Sequence, residues 1–188
     1  MAKALFIIDV QNDFTEGGAL GVEGGAAAAA GITEYLSAHA DEYDHVFASR
    51  DWHDADNDNG GHFSSTPDFV DSWPPHCVAG TEGAAYHPAL DTSLIDVHVR
   101  KGQGKPAYSI FEGTTDSGQT LAEALAERNI DAVDVVGIAT DYCVRASALD
   151  AVEAGLTTRV RTELVRGVSA VSSALAVDEL LGAGVEFV

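Results

Sequence analysis

Cys143 stands where a thiol is readily turned into a nucleophile. It follows the apolar run 135–139 and an Asp141-Tyr142 step, and the apolar spacing beyond it reads as a helix over 143–154. A thiolate at a helix N-terminus meets unpaired backbone N–H groups and the positive end of the helix dipole, so its pKa is expected below that of a free cysteine. The same N–H groups can hold an oxyanion. Without companions, such a cysteine is as well explained as a small buried hydrophobe. Its companions are Asp9 and Lys101, which like Cys143 fall at or just past the C-terminal ends of apolar strand segments. A carboxylate beside a thiol can take its proton, and an ammonium beside both favours the charged forms. Taken singly, Asp9 could cap a turn with Asn12 or Asp13, and Lys101 could be a solvated surface cation. The chain has only three lysines, Lys3, Lys101 and Lys105, which weakens the second explanation.

A second constellation is Asp51, His53, His62 and His76. Asp51 and His53 are two residues apart just beyond a strand end, so both side chains leave one face if the extended conformation continues. Imidazole plus carboxylate suits one divalent metal ion, Zn, Fe or Mn, with water completing an open site. Spacing alone is a weak signal, because histidines in an Asp/Gly-rich loop are often simply solvated. His39, His45, His87 and His98 read as structural or surface residues.

These residues must be positioned by an α/β framework. Strand segments are predicted at 4–10, 45–50, 95–100, 132–139, 157–161 and 185–188, and helices at 25–40, 120–128, 143–154 and 169–181. Most strands are near-continuous apolar runs, as expected when helices cover both faces of a mainly parallel sheet. In a doubly wound sheet, ligands bind beyond the carboxyl ends of the strands, where Asp9, Lys101 and Cys143 are expected. The stretch 51–90 is dense in Asp, Asn, Gly, Pro and His, and loops of that length are usually functional or disordered. It carries His53, His62, His76 and Trp73, which argues against a floppy linker; 54–61 within it reads as a mobile surface turn.

The 188 residues, 46% of them hydrophobic, suit one domain with one core. Thirty acidic residues against ten basic ones give a formal charge of −20. Such a surface repels nucleic acid and anionic lipid, and no stretch approaches the ~20 apolar residues that span a bilayer. No secretory signal is visible, so a cytoplasmic protein is expected, with Cys77 and Cys143 unpaired. Self-repulsion on this scale needs screening, which suggests a salt-loving source.

The segment from Ile8 to Phe14, Ile-Asp-Val-Gln-Asn-Asp-Phe, resembles the opening of the nicotinamidase/pyrazinamidase branch of the isochorismatase-like cysteine hydrolases. Ser49-Arg50-Asp51-Trp52-His53 resembles the family's metal segment, the stretch from Trp73 to Thr81 its second metal and pocket segment, and that from Gly137 to Val144 its nucleophile segment. Four motifs in order are far more specific than any one. The resemblance implies a six-stranded, largely parallel sheet flanked by helices and a triad of Asp9, Lys101 and Cys143 attacking a carboxamide. It implies metal ligation by Asp51, His53 and His76, with His62 matching a further ligand or near-ligand in some members. It also implies an oxyanion hole of the Ala139 and Cys143 amides beside a cis Ile138–Ala139 bond, and a ring pocket lined by Phe14, Trp73, Tyr108 and Ile138. Tyr142 stands where a histidine occurs in some relatives.

The implied activity is hydrolysis of nicotinamide to nicotinate and ammonia through a thioester, with pyrazinamide handled too. A metal-independent amidase or isochorismatase-type hydrolase on the same scaffold is the nearest competing enzyme; Asp51, His53 and His76 together discriminate against it. A non-catalytic metal- or ligand-binding protein has no need of an activated thiol. Native metal and oligomeric state, monomer or homo-oligomer, stay open at this point.

Overall fold

Near-continuous apolar segments can be buried only if both faces of the sheet they form are covered, and that is the architecture observed. In a computed structural model that describes residues 2–188, the chain runs through β1 (Ala2–Ile8), α1 (Gly25–His39), β2 (His45–Asp51), β3 (Val97–Lys101), β4 (Thr114–Thr115) and α2 (Leu121–Glu127). It continues through β5 (Ile130–Ile138), α3 (Arg145–Glu153), β6 (Thr157–Arg166), α4 (Ala170–Gly182) and β7 (Glu186–Phe187). The seven strands form one sheet in the order β4-β3-β2-β1-β5-β6-β7, parallel except for the β3–β4 pair.

Alternate residues of the central strands feed two cores. Phe6, Ile8, Val133 and Val135 pack with Leu121, Ala148 and Leu180 of α2, α3 and α4 on one face. On the other face Leu5, Ile7 and Val136 pack with Ala29, Ile32 and Leu36 of α1. Each of the larger of these side chains, the Val, Leu, Ile and Phe residues, contributes roughly 1.5–3 kcal/mol on burial. Strand order reverses at β1, which has β2 on one side and β5 on the other, and the crevice beyond its carboxyl end is where ligands bind in doubly wound sheets.

The sheet has seven strands where six were expected. The additional one, Thr114–Thr115, is a two-residue edge strand, Val99 lying opposite Thr115, and is too short to leave a periodic signal. β1 stops at Ile8 rather than running to 10, because Asp9 takes a left-handed backbone with φ 47°. β6 extends to Arg166, well beyond 161, since the polar run Arg161-Thr162-Glu163 hides the strand from an apolar count. Cys143 does not open an α-helix: it sits in a wide π-helical turn, Thr140–Val144, in which the Val144 N–H donates five residues back to the Ala139 carbonyl (3.1 Å), and α3 begins after it. The 54–61 segment is not simply a solvated turn. Asn59 is fully buried within it, its side chain accepting from the Asp54 and Gly104 amides and donating to the Asp54 carbonyl. Among the described residues no helix is long and apolar enough to cross a membrane.

Two consequences can be measured. Gly137 in β5 has φ 118°, and a Cβ there would lie 2.1 Å from the Ile8 carbonyl oxygen, so the approach of β5 to β1 beside Asp9 depends on glycine. Gly137→Ala should destabilise the fold by about 3 kcal/mol or more in a denaturant titration. Lys3, Arg159 and Arg161 all pair with the single buried carboxylate of Asp134, at 3.0, 2.8 and 2.9 Å, leaving most of the acidic surface without cations. The thermal midpoint should rise between about 0.1 and 2 M NaCl as self-repulsion is screened.

Candidate active site

The site is assembled from the carboxyl ends of β1, β2, β3 and β5. β1–β2 pairing ends at Ile7 and Ala48, and beyond it two side chains carry the cross-links. Ser49 accepts from the Asp9 N–H (3.3 Å) and donates its hydroxyl to Asp9 Oδ1 (2.7 Å). Gln11 accepts from the Asp51 N–H (2.8 Å) and donates to the Asp51 carbonyl (2.9 Å). Asp9 and Asp51 are thereby fixed on adjacent strand ends, although the backbone of Asp9 has left the strand.

Between them lies the Lys101 ammonium, fully buried. It pairs with Asp9 Oδ2 at 2.8 Å and with Asp51 Oδ1, donates to the Ala107 carbonyl at 3.3 Å, and lies 3.7 Å from Cys143 Sγ. Burial alone would discharge it, but Asp51, Asp9 and Cys143 outweigh burial and hold its pKa well above the usual lysine range. Burial pushes Asp51 up, yet Lys101 and the neighbouring His53 and His76 overcome it and hold this carboxyl well below its usual range. Asp9 goes the other way: burial dominates, Lys101 opposes it only in part, and the negative Asp51 adds to the rise. Asp9 is therefore the carboxyl of the pair that more readily takes a proton.

The Cys143 thiol also corrects an expectation. Burial, with Asp9 and Asp51 nearby, pushes its pKa well above that of a free thiol, and Lys101 offsets only part of this. The resting thiol is protonated, and its activation falls to its neighbours rather than to a helix end. Both Cys77 and Cys143 are free.

Asp51 faces the histidines with its other oxygen: Oδ2 is 3.6 Å from His53 Nε2 and 3.9 Å from His76 Nε2. His53, His62 and His76 are all buried, and their ligand atoms lie within 4.8 Å of one another. His53 Nδ1 donates to the Gly102 carbonyl and His76 Nδ1 to that of Pro74, each at 2.8 Å, which turns both Nε2 lone pairs inward. His53 Nε2 and His62 Nδ1 are buried with no partner. Burial and the charges of its two histidine neighbours lower the His62 pKa to about 4, so the ring stays neutral at pH 7. Three imidazoles and a carboxylate, with unpartnered nitrogens of His53 and His62 facing one point, fit a divalent cation of the Zn, Fe or Mn type.

A cavity of about 330 Å³ opens over both groups. Asp51, His62 and His76 form one part of its wall, Cys143, Ala139 and Ile138 another, and Phe14, Trp73, Tyr108 and Tyr142 supply aromatic faces. Trp73 Nε1 donates to the Tyr108 hydroxyl (3.1 Å), Tyr142 meets the Trp73 ring edge-on at 5.3 Å, and Phe14 lies 5.6 Å from the His76 ring. The Ile138–Ala139 peptide is cis. Every residue singled out from the sequence thus lies at this one place. Leu20, Val22, Phe69 and Val168 also line the cavity and were missed, as were Ser49, Gln11 and Gly102. Ser49 sits two residues before Asp51 within β2, the strand period that puts side chains on one face, and that signal was available; Gln11 lies past the left-handed Asp9, where the period no longer holds. Nothing in the sequence points to Val168.

Gly102 carries a specific test. Its φ is 84°, and a Cβ there would sit 2.5 Å from His53 Cε1. Gly102→Ala should displace the imidazole and weaken binding of Zn about tenfold or more, read by competition with a chromophoric chelator on folded protein.

The Isochorismatase domain family profile matches residues 3–188. The nicotinamidase/pyrazinamidase of Mycobacterium tuberculosis is 54% identical over 186 residues, covering 99% of this chain and 98% of its own length. The pyrazinamidase of Pyrococcus horikoshii, solved in complex with zinc, superposes with a TM-score of 0.84 at 33% identity, covering 100% and 99% of the two chains. An L. infantum protein solved in complex with nicotinate gives 0.85 at 33%, covering 100% and 92%. With a match that runs along its length in both sequence and fold, the chain belongs to the isochorismatase-domain family, within the nicotinamidase/pyrazinamidase group.

Proposed function

We propose that this chain hydrolyses nicotinamide to nicotinate and ammonia through a thioester on Cys143, and that pyrazinamide is handled in the same way. The observation that carries this is the Lys101 ammonium, in reach of Asp9, Asp51 and Cys143 at once, so that a thiol and a metal-type cluster face the same ring-sized cavity. The relatives point the same way: one is a nicotinamidase/pyrazinamidase, and another structure holds nicotinate.

Asp51, His53, His62 and His76 would hold one divalent cation, as the zinc complex of the P. horikoshii protein supports. When bound, that cation supplies a Lewis-acid anchor for the ring nitrogen. Phe14, Trp73, Tyr108 and Ile138 enclose the ring, with Tyr142 beside them, and hold the carboxamide over Cys143; positioning of this kind supplies much of the rate. Asp9 takes the thiol proton as sulfur bonds to the carbonyl carbon, and Lys101 offsets the charge that appears on sulfur. The carbonyl oxygen becomes an oxyanion facing the Ala139 and Cys143 amides. Asp9 passes its proton to the amide nitrogen, the C–N bond breaks and ammonia leaves a thioester. Water then gives a proton to Asp9 and attacks the same carbon; the C–S bond breaks, and Asp9 returns the proton to sulfur. We take 1–188 as a single cytoplasmic domain, in keeping with its one sheet and free cysteines, and the charge of −20 keeps nucleic acid and anionic membrane outside this reading.

The test is ammonia release from nicotinamide in high salt, by wild type and Cys143→Ala, with and without chelator. Wild-type release should fall about a thousandfold or more in the variant, which lacks the nucleophile but keeps the pocket. Chelation should raise KM. Turnover retained by Cys143→Ala would remove the thioester, and no release from folded, zinc-loaded wild type would remove nicotinamide as substrate.

A further inference from the structure

We propose that Asp141 is a positioning residue for the reaction, holding the nucleophile turn and the cavity wall in register from outside the site. This rests on the assignment of Cys143 as nucleophile. Asp141 lies two residues before Cys143 in the π-helical turn between β5 and α3, and it is buried. Its carboxylate faces neither the thiol's partners nor a basic side chain. Oδ1 accepts from the Val168 N–H at 2.9 Å, and Oδ2 accepts from the Ser169 N–H at 3.3 Å and the Ser172 hydroxyl at 2.5 Å.

From inside, the turn is held by wide, irregular backbone pairing. The Tyr142 and Val144 N–H groups both donate to one acceptor, the Ala139 carbonyl, at 3.0 and 3.1 Å. The Arg145 N–H donates to the Tyr142 carbonyl, so the turn is irregularly paired and is held less firmly than by an α-helical ladder with one acceptor per donor. Asp141 adds a constraint from outside by engaging three donors at the start of α4, where backbone N–H groups lack intrahelical partners and negative charge is favoured. Gly167 makes room for it: a Cβ there would lie 3.3 Å from Asp141 Oδ1 and 1.9 Å from Ser173 Oγ. The tether has two functional ends. Val168, whose N–H it holds, lines the cavity, and so do Tyr142 and Cys143 on the other side. One buried carboxylate therefore ties together two stretches of the cavity wall, the nucleophile turn and Val168.

The test compares wild type, Asp141→Asn and Ser172→Ala as zinc-loaded protein. In Asp141→Asn an amide NH2 confronts donors, so kcat for nicotinamide should fall about 10- to 100-fold while KM changes less than about threefold. Alkylation of Cys143 by iodoacetamide should slow about tenfold, with zinc stoichiometry unchanged. A folded Asp141→Asn with kcat and alkylation rate within about twofold of wild type would overturn the proposal, even if its melting temperature fell. If Asp141→Asn does not fold, Ser172→Ala decides, since it removes one hydroxyl and leaves both amide bonds: alkylation about twofold to fivefold slower is expected, and an unchanged rate overturns the tether. Alkylation needs no amide substrate, so failure of the nicotinamide assignment would show as absent turnover with the alkylation contrast intact.

Discussion

The buried ammonium of Lys101 is the interaction on which the rest of the site depends. A charge taken fully out of water is tolerable only where opposite charges and hydrogen-bond acceptors surround it, and removing a partner from such a set typically costs several kcal/mol. Here Asp9, Asp51 and the Ala107 carbonyl supply that surrounding. The position is dictated by the sheet, because Lys101 is the register partner of Asp51 in the parallel β2–β3 pair. A slip of one residue would turn the side chain to the opposite face and leave two buried carboxylates uncompensated. The electrostatics of the site and the register of the sheet are thus one constraint. One cation shared by two carboxylates cannot satisfy both equally, which is why Asp51 is held ionised while Asp9 is left able to carry a proton.

The second constraint is geometric. For Asp9 to face Lys101 and the thiol, its backbone must leave the β1 ladder, and its left-handed φ does so one residue after the strand ends. A broken ladder between two central strands would leave buried amides unpaired, each a cost comparable to a lost hydrogen bond. Ser49 and Gln11 close the gap with side chains, so the hydrogen bonding of the sheet continues where its backbone pairing does not. Gly137 completes the arrangement by letting β5 lie against Ile8 without a Cβ between them.

How much of this was legible depends on how local each feature is. Asp9, Asp51, His53 and Cys143 announce themselves because chemistry-bearing residues directly follow apolar strand runs. Ser49, a strand period before Asp51, is legible once looked for, whereas Gln11 lies past the left-handed Asp9 and is not. Other features depend on chain segments meeting across long separations. Asn59 looks like turn chemistry in sequence, and its burial follows from contact with Gly104. The thiol of Cys143 was expected to be acidified by a helix end, whereas the helix is displaced by a π-helical turn and the thiol is enclosed with two carboxylates. Local sequence can place a cysteine near a helix, but the surroundings of its thiol are set by Asp9, Asp51 and Lys101, all far from it in sequence.

The long segment between β2 and β3 shows how a site can organise a stretch that has almost no regular structure of its own. His53 donates its backbone N–H to Cys77 and accepts from Ala79, and the His62 carbonyl accepts from Trp73. The residues that present imidazoles are therefore also those through which the loop pairs with itself. Holding the rings fixes the loop, and the loop in turn carries Trp73 and Phe69 to the cavity. Inward-facing imidazole nitrogens without partners are costly to bury, and a cation among them would return that cost as folding free energy. Metal affinity, loop order and the shape of the ring pocket are then coupled, and a substitution such as one at Gly102 acts on all three through a single imidazole.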